Sequence, residues 1–214
     1  MNKSRLGVLM FLLGGIVRVA HAQICPPNNP APIAPDNRYT VSQPVTGEFV
    51  VTDMQTGLVW KQCSEGLSGP ACSTGSLSAL SWSAALSAAN SATHAGFSDW
   101  RLPNKAELLS LVETSCYLPS INSTRFPATE TGYYWSATTN VANADYAWSI
   151  RFYIGIIHGS NKSNSNLVRL VRGGQSLDTF ASEGGGGNSA EPVAVVNLPL
   201  TTGTPCSAFY SVKT

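Results

Sequence analysis

The stretch Gly96-Phe97-Ser98-Asp99-Trp100-Arg101-Leu102-Pro103-Asn104-Lys105-Ala106-Glu107-Leu108 decides how the centre of this 214-residue chain folds. Pro103 favours the start of a helix. Asn104 and Glu107 have the spacing of a capping box, in which each side chain accepts a hydrogen bond from a free backbone N–H of the other residue. The sequence therefore predicts a helix that begins after Pro103 and ends before Pro119. The apolar residues expected on its buried face are Leu108, Leu111 and Val112.

Two residues of the same stretch invite a functional interpretation, but structural roles explain them better. We expect Trp100 to lie in the core and Arg101 to pair with a carboxylate or a loop carbonyl. Three further tryptophans are also expected to be core aromatics, namely Trp60, Trp135 and Trp148.

Upstream of this stretch, the chain predicts a hairpin and a first helix. Residues 48–62 contain two β-rich runs separated by the turn-forming segment Asp53-Met54-Gln55-Thr56-Gly57. Residues 80–93 have apolar side chains at helical spacing, and Gly96 is expected to close this helix. The apolar face of the helix consists of Trp82, Ala85, Leu86 and Ala89.

Downstream, the sequence is typical of β-structure. We expect strands at residues 133–138, 147–157 and 167–172, with a polar turn region at 158–166. The middle strand alternates, so it should be antiparallel and half buried. Its buried face would carry Trp148, Ile150, Phe152 and Ile154, and its other face Ser149, Arg151, Tyr153 and Gly155. A hairpin, two helices and later strands together predict an α+β fold.

Several motifs follow one another in a fixed order. They are Val51-Thr52-Asp53, Thr56-Gly57-Leu58-Val59-Trp60, the stretch quoted above, Phe126-Pro127, Gly132-Tyr133-Tyr134-Trp135-Ser136, Ala147-Trp148 and Val168-Arg169-Leu170-Val171-Arg172-Gly173-Gly174. Over residues 46–175 the chain resembles the Lcl C-terminal domain family, bacterial domains named after the end of a collagen-like adhesin. The resemblance implies a C-type-lectin-like fold, akin to that of formylglycine-generating enzymes, with two helices packed on twisted antiparallel sheet. The namesake domain binds sulfated polysaccharides, and the match carries no catalytic residues.

The two ends of the chain differ from its centre. Residues 1–22 have a basic start, an apolar run too short to span a bilayer and the small-residue pattern Ala20-His21-Ala22, so they predict a signal peptide cleaved before Gln23. The alternative is an uncleaved anchor. Residues 23–45 are predicted to be a Pro-rich linker, and residues 176–214 a Gly-rich linker and tail with one short strand at 193–198. The expected location is secreted, periplasmic or at the cell surface.

The charge balance limits the classes of partner. Cleavage would remove three of the 13 basic residues and none of the 12 acidic ones, which changes the formal charge from +1 to −2. A general nucleic-acid binder needs a basic surface to replace phosphate counterions, so no nucleic-acid partner is expected. No later stretch is apolar and long enough to predict a transmembrane segment.

The five cysteines all follow residue 22. In an oxidising compartment they should form disulfides, and Cys63 and Cys72 are the first expected pair because a short Gly/Ser/Pro-rich loop joins them. Zinc is the competing interpretation, but no C-x-x-C spacing occurs and no histidine lies nearby. Among Cys25, Cys116 and Cys206 we prefer a pair that involves Cys206, which leaves one odd thiol.

Enzyme chemistry finds little support. The chain has no H-E-x-x-H, no G-x-S-x-G and no phosphate-cradling glycine loop. Formylglycine-generating relatives use cysteines in the later half of the domain, where this chain has none between Cys116 and Cys206. The E-P-N and W-N-D patterns of calcium-dependent lectins are also absent, which leaves calcium open only at some other kind of site. We expect no catalytic residue, no cofactor and no metal.

One region favours binding. Residues 147–174 hold four basic residues, Arg151, Lys162, Arg169 and Arg172, and no acidic one. We expect structural roles for Arg169 and Arg172. Aromatic faces stack on sugar rings, amides bond hydroxyls, and Arg or Lys holds sulfate or carboxylate. The candidate ligand-binding residues are Ser149, Arg151, Tyr153, His158, Asn161, Lys162 and Asn164. The competing interpretation is a solvated hairpin with Ser/Asn turns.

Two functional hypotheses follow. The first is an exported, non-catalytic binding module for adhesion or recognition of an extracellular glycan, such as an anionic polysaccharide, or of a protein ligand. The second is a structural or interaction subunit of a cell-envelope assembly. The sequence leaves the ligand and the oligomeric state open.

Overall fold

The computed structural model describes residues 23–173. The predicted signal peptide, the C-terminal linker and tail, the strand expected at 193–198 and Cys206 lie outside the described residues. Within residues 23–173, no helix is long and apolar enough to cross a membrane.

A 3-10 turn at Asp36–Arg38 precedes eleven strands and two helices in the described part of the chain. The first strands are β1 (Tyr39–Val45), β2 (Glu48–Asp53), β3 (Val59–Lys61), β4 (Leu67–Ser68), β5 (Thr74–Gly75) and β6 (Ala79–Leu80). The helices are α1 (Trp82–Asn90) and α2 (Lys105–Leu109). The last strands are β7 (Tyr133–Thr139), β8 (Tyr146–Arg151), β9 (Ile156–Asn161), β10 (Asn166–Leu167) and β11 (Val171–Arg172).

The strands form three sheets. The first has the order β1-β2-β3-β11, so the last strand described returns to pair with β3 near the start of the domain. The second has the order β6-β10-β7-β8-β9 and is antiparallel except where β10 meets β7. A small third sheet pairs β4 with β5. The predicted hairpin at residues 48–62 is therefore present as β2 and β3, and the α+β class is confirmed, with β-structure predominant.

The predicted capping box is present at the start of α2. The Glu107 N–H donates to the Asn104 side chain at 2.9 Å, and the Asn104 N–H donates to the Glu107 carboxylate at 2.8 Å. The helix is shorter than expected, because Val112 already pairs with Ile121 in an isolated β-bridge. Leu111 and Val112 are nevertheless buried, as predicted.

Helix α1 also ends earlier than predicted. Ser81 caps its start by accepting from the Ala84 N–H, and Ser91 follows its last residue. The Ser91 hydroxyl donates to the Ser87 carbonyl at 3.0 Å, which satisfies a backbone group that the helix end leaves free. Gly96 therefore does not close the helix, and its left-handed backbone (φ 79°) lies in the later turn joining His94 to Phe97.

The expected strand at residues 147–157 is wrong, because two strands and a turn occupy this region. Strand β8 ends at Arg151 and β9 begins at Ile156. Gly155 lies between them with φ 72°, a left-handed conformation that ordinary side chains rarely adopt, and a Cβ at this position would lie 2.4 Å from Val112 Cγ1. The alternation prediction counted Gly155 as an ordinary strand residue. For the same reason, much of the polar turn expected at 158–166 is strand β9.

Both faces of the second sheet contribute to the core. Tyr134 and Ile150 belong to a cluster that contains Leu108 of α2. Trp135 is adjacent to Tyr134, and Ala147 lies three positions from Ile150, so both point to the opposite face. They belong to a second cluster with α1. Trp100 lies in this second cluster, as expected. Trp60 and Trp135 are also core residues, whereas Trp148 is only half buried, so that prediction was wrong in degree.

The segment predicted to be the 23–45 linker is part of the folded domain. Strand β1 pairs with β2, and Cys25 forms a disulfide with Cys116. The buried Glu113 carboxylate accepts from the Ala34 N–H at 2.7 Å and from the Ile33 N–H at 3.3 Å. The prolines before β1 interrupt periodicity without preventing packing, because the disulfide and the Glu113 hydrogen bonds hold that part of the segment, while β1 itself forms a ladder with β2.

Burial alone would raise the pKa of the Glu113 carboxyl. Hydrogen bonds from the Ser115 hydroxyl and N–H, and from the Ala34 and Ile33 N–H groups, outweigh it and hold that pKa below its usual value. The anionic form of Glu113 therefore fastens the N-terminal segment.

The cysteine pairing is settled for four of the five residues. The predicted Cys63–Cys72 disulfide is present and closes the loop that carries β4 and β5. The preferred pairing of Cys206 with Cys25 or Cys116 is wrong, because those two cysteines bond to each other. The sequence reasoning failed there because it treated Cys25 as part of a linker.

Candidate functional site

The candidate site lies on the β8–β9 hairpin, at the end where the two strands join. Register places Tyr133, Arg151 and Ile156 side by side across β7, β8 and β9. The next positions on the same face are Trp135, Ser149 and His158. The hairpin turn then returns Tyr153 towards Arg151. The structure thus brings together three of the predicted residues, Arg151, Tyr153 and His158.

The Arg151 guanidinium lies against two tyrosine rings. Its Cζ atom is 5.2 Å from the centre of the Tyr133 ring and 5.0 Å from the centre of the Tyr153 ring. The His158 ring lies on the other strand, 4.8 Å from the Tyr133 ring. We call these four residues the tyrosine–arginine cluster. Tyr153 and His158 are exposed, and Tyr133 and Arg151 are half buried, so the cluster is open to solvent.

Ser149 does not belong to this surface, contrary to the sequence prediction. It is completely buried, and its hydroxyl donates to the His158 carbonyl at 3.0 Å and shares a hydrogen bond with the Ser160 hydroxyl at 2.9 Å. The prediction assumed one half-buried strand, whereas β8 has neighbours on both sides and buries both of its faces. The Ser149 side chain therefore holds the main chain of β9 at His158 and is not accessible to a ligand.

Asn161, Lys162 and Asn164 also lie away from the cluster. Asn161 is the last residue of β9, and Lys162 and Asn164 follow it, so all three lie at the far end of the strand. Asn161 pairs with Tyr146, whereas Ile156 pairs with Arg151. Five residues of strand separate these ends, a distance of about 17 Å. The single patch expected to hold Arg151 and Lys162 together is therefore not formed.

The far end of the hairpin is organised as a turn. The Asn161 side chain accepts from the Ser163 N–H at 3.0 Å, and the Asn161 carbonyl accepts from the Asn164 N–H at 2.9 Å. The Lys162 ammonium lies 4.3 Å from the centre of the Trp82 ring. These residues thus form a separate, smaller cation–aromatic contact.

Side-chain pairing distinguishes Arg151 from the two other arginines of this region, Arg169 and Arg172. Arg172 pairs with Asp99 at 2.7 Å. Arg169 is completely buried and donates to the Gln62 carbonyl and, at 2.7 Å, to the Thr129 hydroxyl. Its burial lowers the pKa of its guanidinium. Both residues therefore have structural contacts, as predicted. Arg151 forms no ion pair or hydrogen bond through its side chain with residues 23–173, so its donors remain available.

Arg101 also has the structural contacts that the sequence predicts. Its guanidinium donates to both carboxylate oxygens of Glu107 at 2.7 Å and to the Gly173 carbonyl at 2.9 Å. It therefore joins the start of α2 to the end of the described chain.

Sequence reasoning did not identify two residues with cation–aromatic contacts, Tyr133 and Lys105. Tyr133 was counted only as part of a strand motif, although alternation with the buried Tyr134 places it on the opposite face. Lys105 lies 4.9 Å from the centre of the half-buried Trp148 ring and, like Arg151, has no ion pair within the described residues. Trp148 and Arg151 are an odd number of positions apart in β8, so Lys105 lies on the opposite face from the cluster.

The tyrosine–arginine cluster places the planar guanidinium of Arg151 against the rings of Tyr133 and Tyr153. A guanidinium can bond two oxygens of a sulfate or carboxylate at once, and tyrosine rings offer faces to sugar rings or apolar groups. Across residues 23–173, no three His, Cys, Asp or Glu side chains come together as a metal site. The geometry of the cluster, a guanidinium lying against two tyrosine rings, is chemically suited to contact with an anionic group.

Comparison with known proteins identifies the domain. A comparison with curated proteins finds no match. The sequence profile of the Lcl C-terminal domain family matches residues 49–172, which is more than half of the chain and spans β2 to β11. The protein therefore belongs to the Lcl C-terminal domain family.

Proposed function

We propose that this protein is an exported, non-catalytic binding module that recognises an acidic polysaccharide through the tyrosine–arginine cluster. The observation that supports it is the position of Arg151, between two tyrosine rings and without a carboxylate partner among residues 23–173. An arginine held in this way loses little side-chain freedom when it binds, because the rings already restrict it.

Three features support export and the finer fold assignment. Residues 1–22 have the pattern of a signal peptide. The two disulfides of the described domain are typical of proteins that fold in an oxidising compartment. The pairing of β3 with β11 brings the start and end of the domain together, as expected for a C-type-lectin-like fold.

A matched pair of variants tests the proposed site. Arg151→Ala and Lys105→Ala each remove one unpaired cation, but only Arg151 lies in the cluster. Loss of a charge-assisted hydrogen bond costs about 1.5–3 kcal/mol, so Arg151→Ala should weaken binding to a sulfated polysaccharide by about 10- to 100-fold. Lys105→Ala should change it by less than about threefold, the effect of long-range charge alone.

Arg151→Lys separates charge from geometry, because it keeps the cation and loses the planar donors. We expect it to bind more weakly than the wild type and to depend more strongly on salt. Equal losses for Arg151→Ala and Lys105→Ala would mean that binding is diffuse and that the cluster is not the site. No binding by the wild-type protein at low salt would remove the anionic ligand altogether.

A second candidate function is a subunit of a cell-envelope assembly. One observation favours it, namely the open edge of the second sheet at β9. A glycan array discriminates between the two functions, since a binding module should retain a ligand as a purified protein and an assembly subunit should not.

A further inference from the structure

Strand β9 is the outermost strand of the second sheet in the described part of the chain. Three consecutive side chains on it, Ile156, Ile157 and His158, are exposed. Each isoleucine keeps 42% of its surface accessible, although the strand carries no lysine, glutamate or proline to prevent another strand from pairing there. Native proteins usually protect such an edge, so this one requires an explanation.

The position of the two isoleucines restricts the explanation. Ile156 and Ile157 are adjacent in the strand and therefore point to opposite faces of the sheet. A layer packed on one face could cover only one of them. A strand added in the plane of the sheet would approach both, so strand addition accounts for the exposed pair and face-to-face packing does not.

The backbone of β9 identifies the groups that would bond such a strand. The Lys162 N–H donates to the Asp145 carbonyl at 2.8 Å, which makes residues 145 and 162 a hydrogen-bonded pair. Pairs alternate along an antiparallel ladder, so Ser149 and His158 are also hydrogen bonded through their main chains. The main-chain N–H and C=O groups of Ile157 and Gly159 consequently face outward, away from β8.

We propose that the occupant of this edge is β9 of a second copy of the chain, paired antiparallel about a two-fold axis at His158. In this register, Ile157 of each copy faces Gly159 of the other. The outward main-chain N–H and C=O groups of Ile157 in one copy then form hydrogen bonds with those of Gly159 in the other copy, and the two sheets become one continuous sheet. Because β9 carries no Lys, Arg, Asp or Glu, no fixed like charges meet across the axis.

The surroundings of Gly159 favour this partner. A Cβ at Gly159 would lie 3.7 Å from Asn140 Nδ2 and 3.9 Å from both Trp148 Cζ3 and Tyr146 Cδ1, so the missing side chain leaves space beside two aromatic edges at the open strand. The Ile157 side chain of a second copy would lie over this glycine and contact both rings. The half-buried state of Trp148 then has a reason, since the second copy completes its burial.

The size of the contact sets the expected strength. β9 has six residues, and pairing such a strand falls well below the area of a permanent dimer. We therefore expect a weak dimer that dissociates on dilution. Sedimentation equilibrium of the mature chain over a wide concentration range should show a reversible shift from monomer to dimer. A mass that stays monomeric up to about millimolar concentration would overturn the proposal.

Two variants distinguish pairing through the β9 edge from nonspecific association of exposed apolar side chains. Ile157→Lys places a charge on the open strand, and we expect it to raise the dimer dissociation constant by about tenfold or more. Ile154→Lys is the matched control, because Ile154 is 49% exposed but lies in the turn before β9. Equal weakening by both variants would contradict edge pairing.

Amide hydrogen exchange gives an independent measurement on the wild-type chain. The Ile157 and Gly159 amides should exchange more slowly as the dimer forms, while the inward-facing His158 amide should change little. Slow exchange at Ile157 and Gly159 that does not depend on concentration would overturn the proposal, because the edge would then be covered within one chain.

Discussion

The two disulfides of the domain differ in what they should contribute to stability. Cys25–Cys116 joins residues 91 positions apart, and Cys63–Cys72 joins residues nine positions apart. A cross-link stabilises the fold mainly by reducing the conformational entropy of the unfolded chain, and this effect grows with the logarithm of the loop length. The perturbation is the replacement of each pair by serine in separate double variants.

The loop lengths set the expected magnitudes. The chain-entropy relation gives about 4.6 kcal/mol for the longer loop and about 2.6 kcal/mol for the shorter one, a difference of about 2 kcal/mol. The longer bridge also holds the N-terminal segment, where Ile24 pairs with Tyr117. Loss of the Cys25–Cys116 bridge should therefore lower the free energy of unfolding more than loss of Cys63–Cys72.

Urea unfolding under non-reducing conditions measures this difference. The fluorescence of buried Trp60, Trp100 and Trp135 reports the transition. All proteins in the comparison carry Cys206→Ser, so that a free thiol at this position cannot exchange with either bridge. Both the midpoint and the slope are fitted, because removal of a cross-link expands the unfolded chain and changes the slope.

The order of the two losses is the decisive result. Equal losses, or a larger loss for Cys63→Ser with Cys72→Ser, would contradict the entropic argument. The short loop would then stabilise the domain mainly through native contacts, such as those of Leu67 with the bridge.

Three further predictions concern single side chains. The pKa of Glu113 is lowered in the fold, so the stability that this residue contributes is present above its ordinary pKa of 4.5 and is lost as the pH falls through its folded pKa. Glu113→Gln should therefore lower the free energy of unfolding at pH 7. In unfolding curves measured between about pH 5 and pH 2, the variant should lose less stability on acidification than the wild type. Asn104→Ala should lower the free energy of unfolding by about 0.5–2 kcal/mol, and an unchanged value would mean that the capping box is dispensable. Gly155→Ala should lower the free energy of unfolding by about 2–4 kcal/mol, because it adds both backbone strain and a close contact with Val112. Gly57 has a similar φ of 71° but no atom within 4 Å of an added Cβ, so Gly57→Ala should lower it by only about 1–2 kcal/mol. Equal effects of the two variants would exclude the Val112 contact as a cause.

Local signals predicted the parts of the fold that short-range chemistry determines. The capping box of Asn104 and Glu107 depends on residues three apart, and the β2–β3 hairpin depends on a five-residue turn. The short Cys63–Cys72 loop belongs to the same group. In each case the interacting groups are neighbours in the chain, so residue type and spacing suffice.

Long-range contacts account for what the sequence did not show. Nothing near Cys25 indicates that Cys116 or Glu113 lies beside the N-terminal segment. The turn at Gly155 depends on Val112, 43 positions earlier in the numbering of the chain, because that side chain leaves no room for a Cβ. Alternation correctly separated Arg151 from Ile150 but could not reveal that a second neighbouring strand buries Ser149.

The two proposals predict a joint property of the dimer. Pairing through β9 keeps the same face of both sheets on one side, since residues opposite each other in an antiparallel ladder point the same way. Three strand spacings and four residues of offset separate the two Arg151 positions, which places the two tyrosine–arginine clusters about 20 Å apart. A long acidic polysaccharide could contact both clusters, whereas a disaccharide is too short to do so.

Linked binding of this kind strengthens affinity without any new contact. We expect the wild-type protein to bind a long sulfated polysaccharide at least about tenfold more tightly, per disaccharide unit, than an isolated disaccharide. Ile157→Lys should remove this advantage and keep disaccharide affinity within about threefold of the wild-type value, the effect of long-range charge alone. Arg151→Ala should weaken binding of both ligands. Titration calorimetry with the two ligands measures all of these values. A polysaccharide advantage that persists in Ile157→Lys would show that the paired edge does not create the second contact, even if the cluster itself binds.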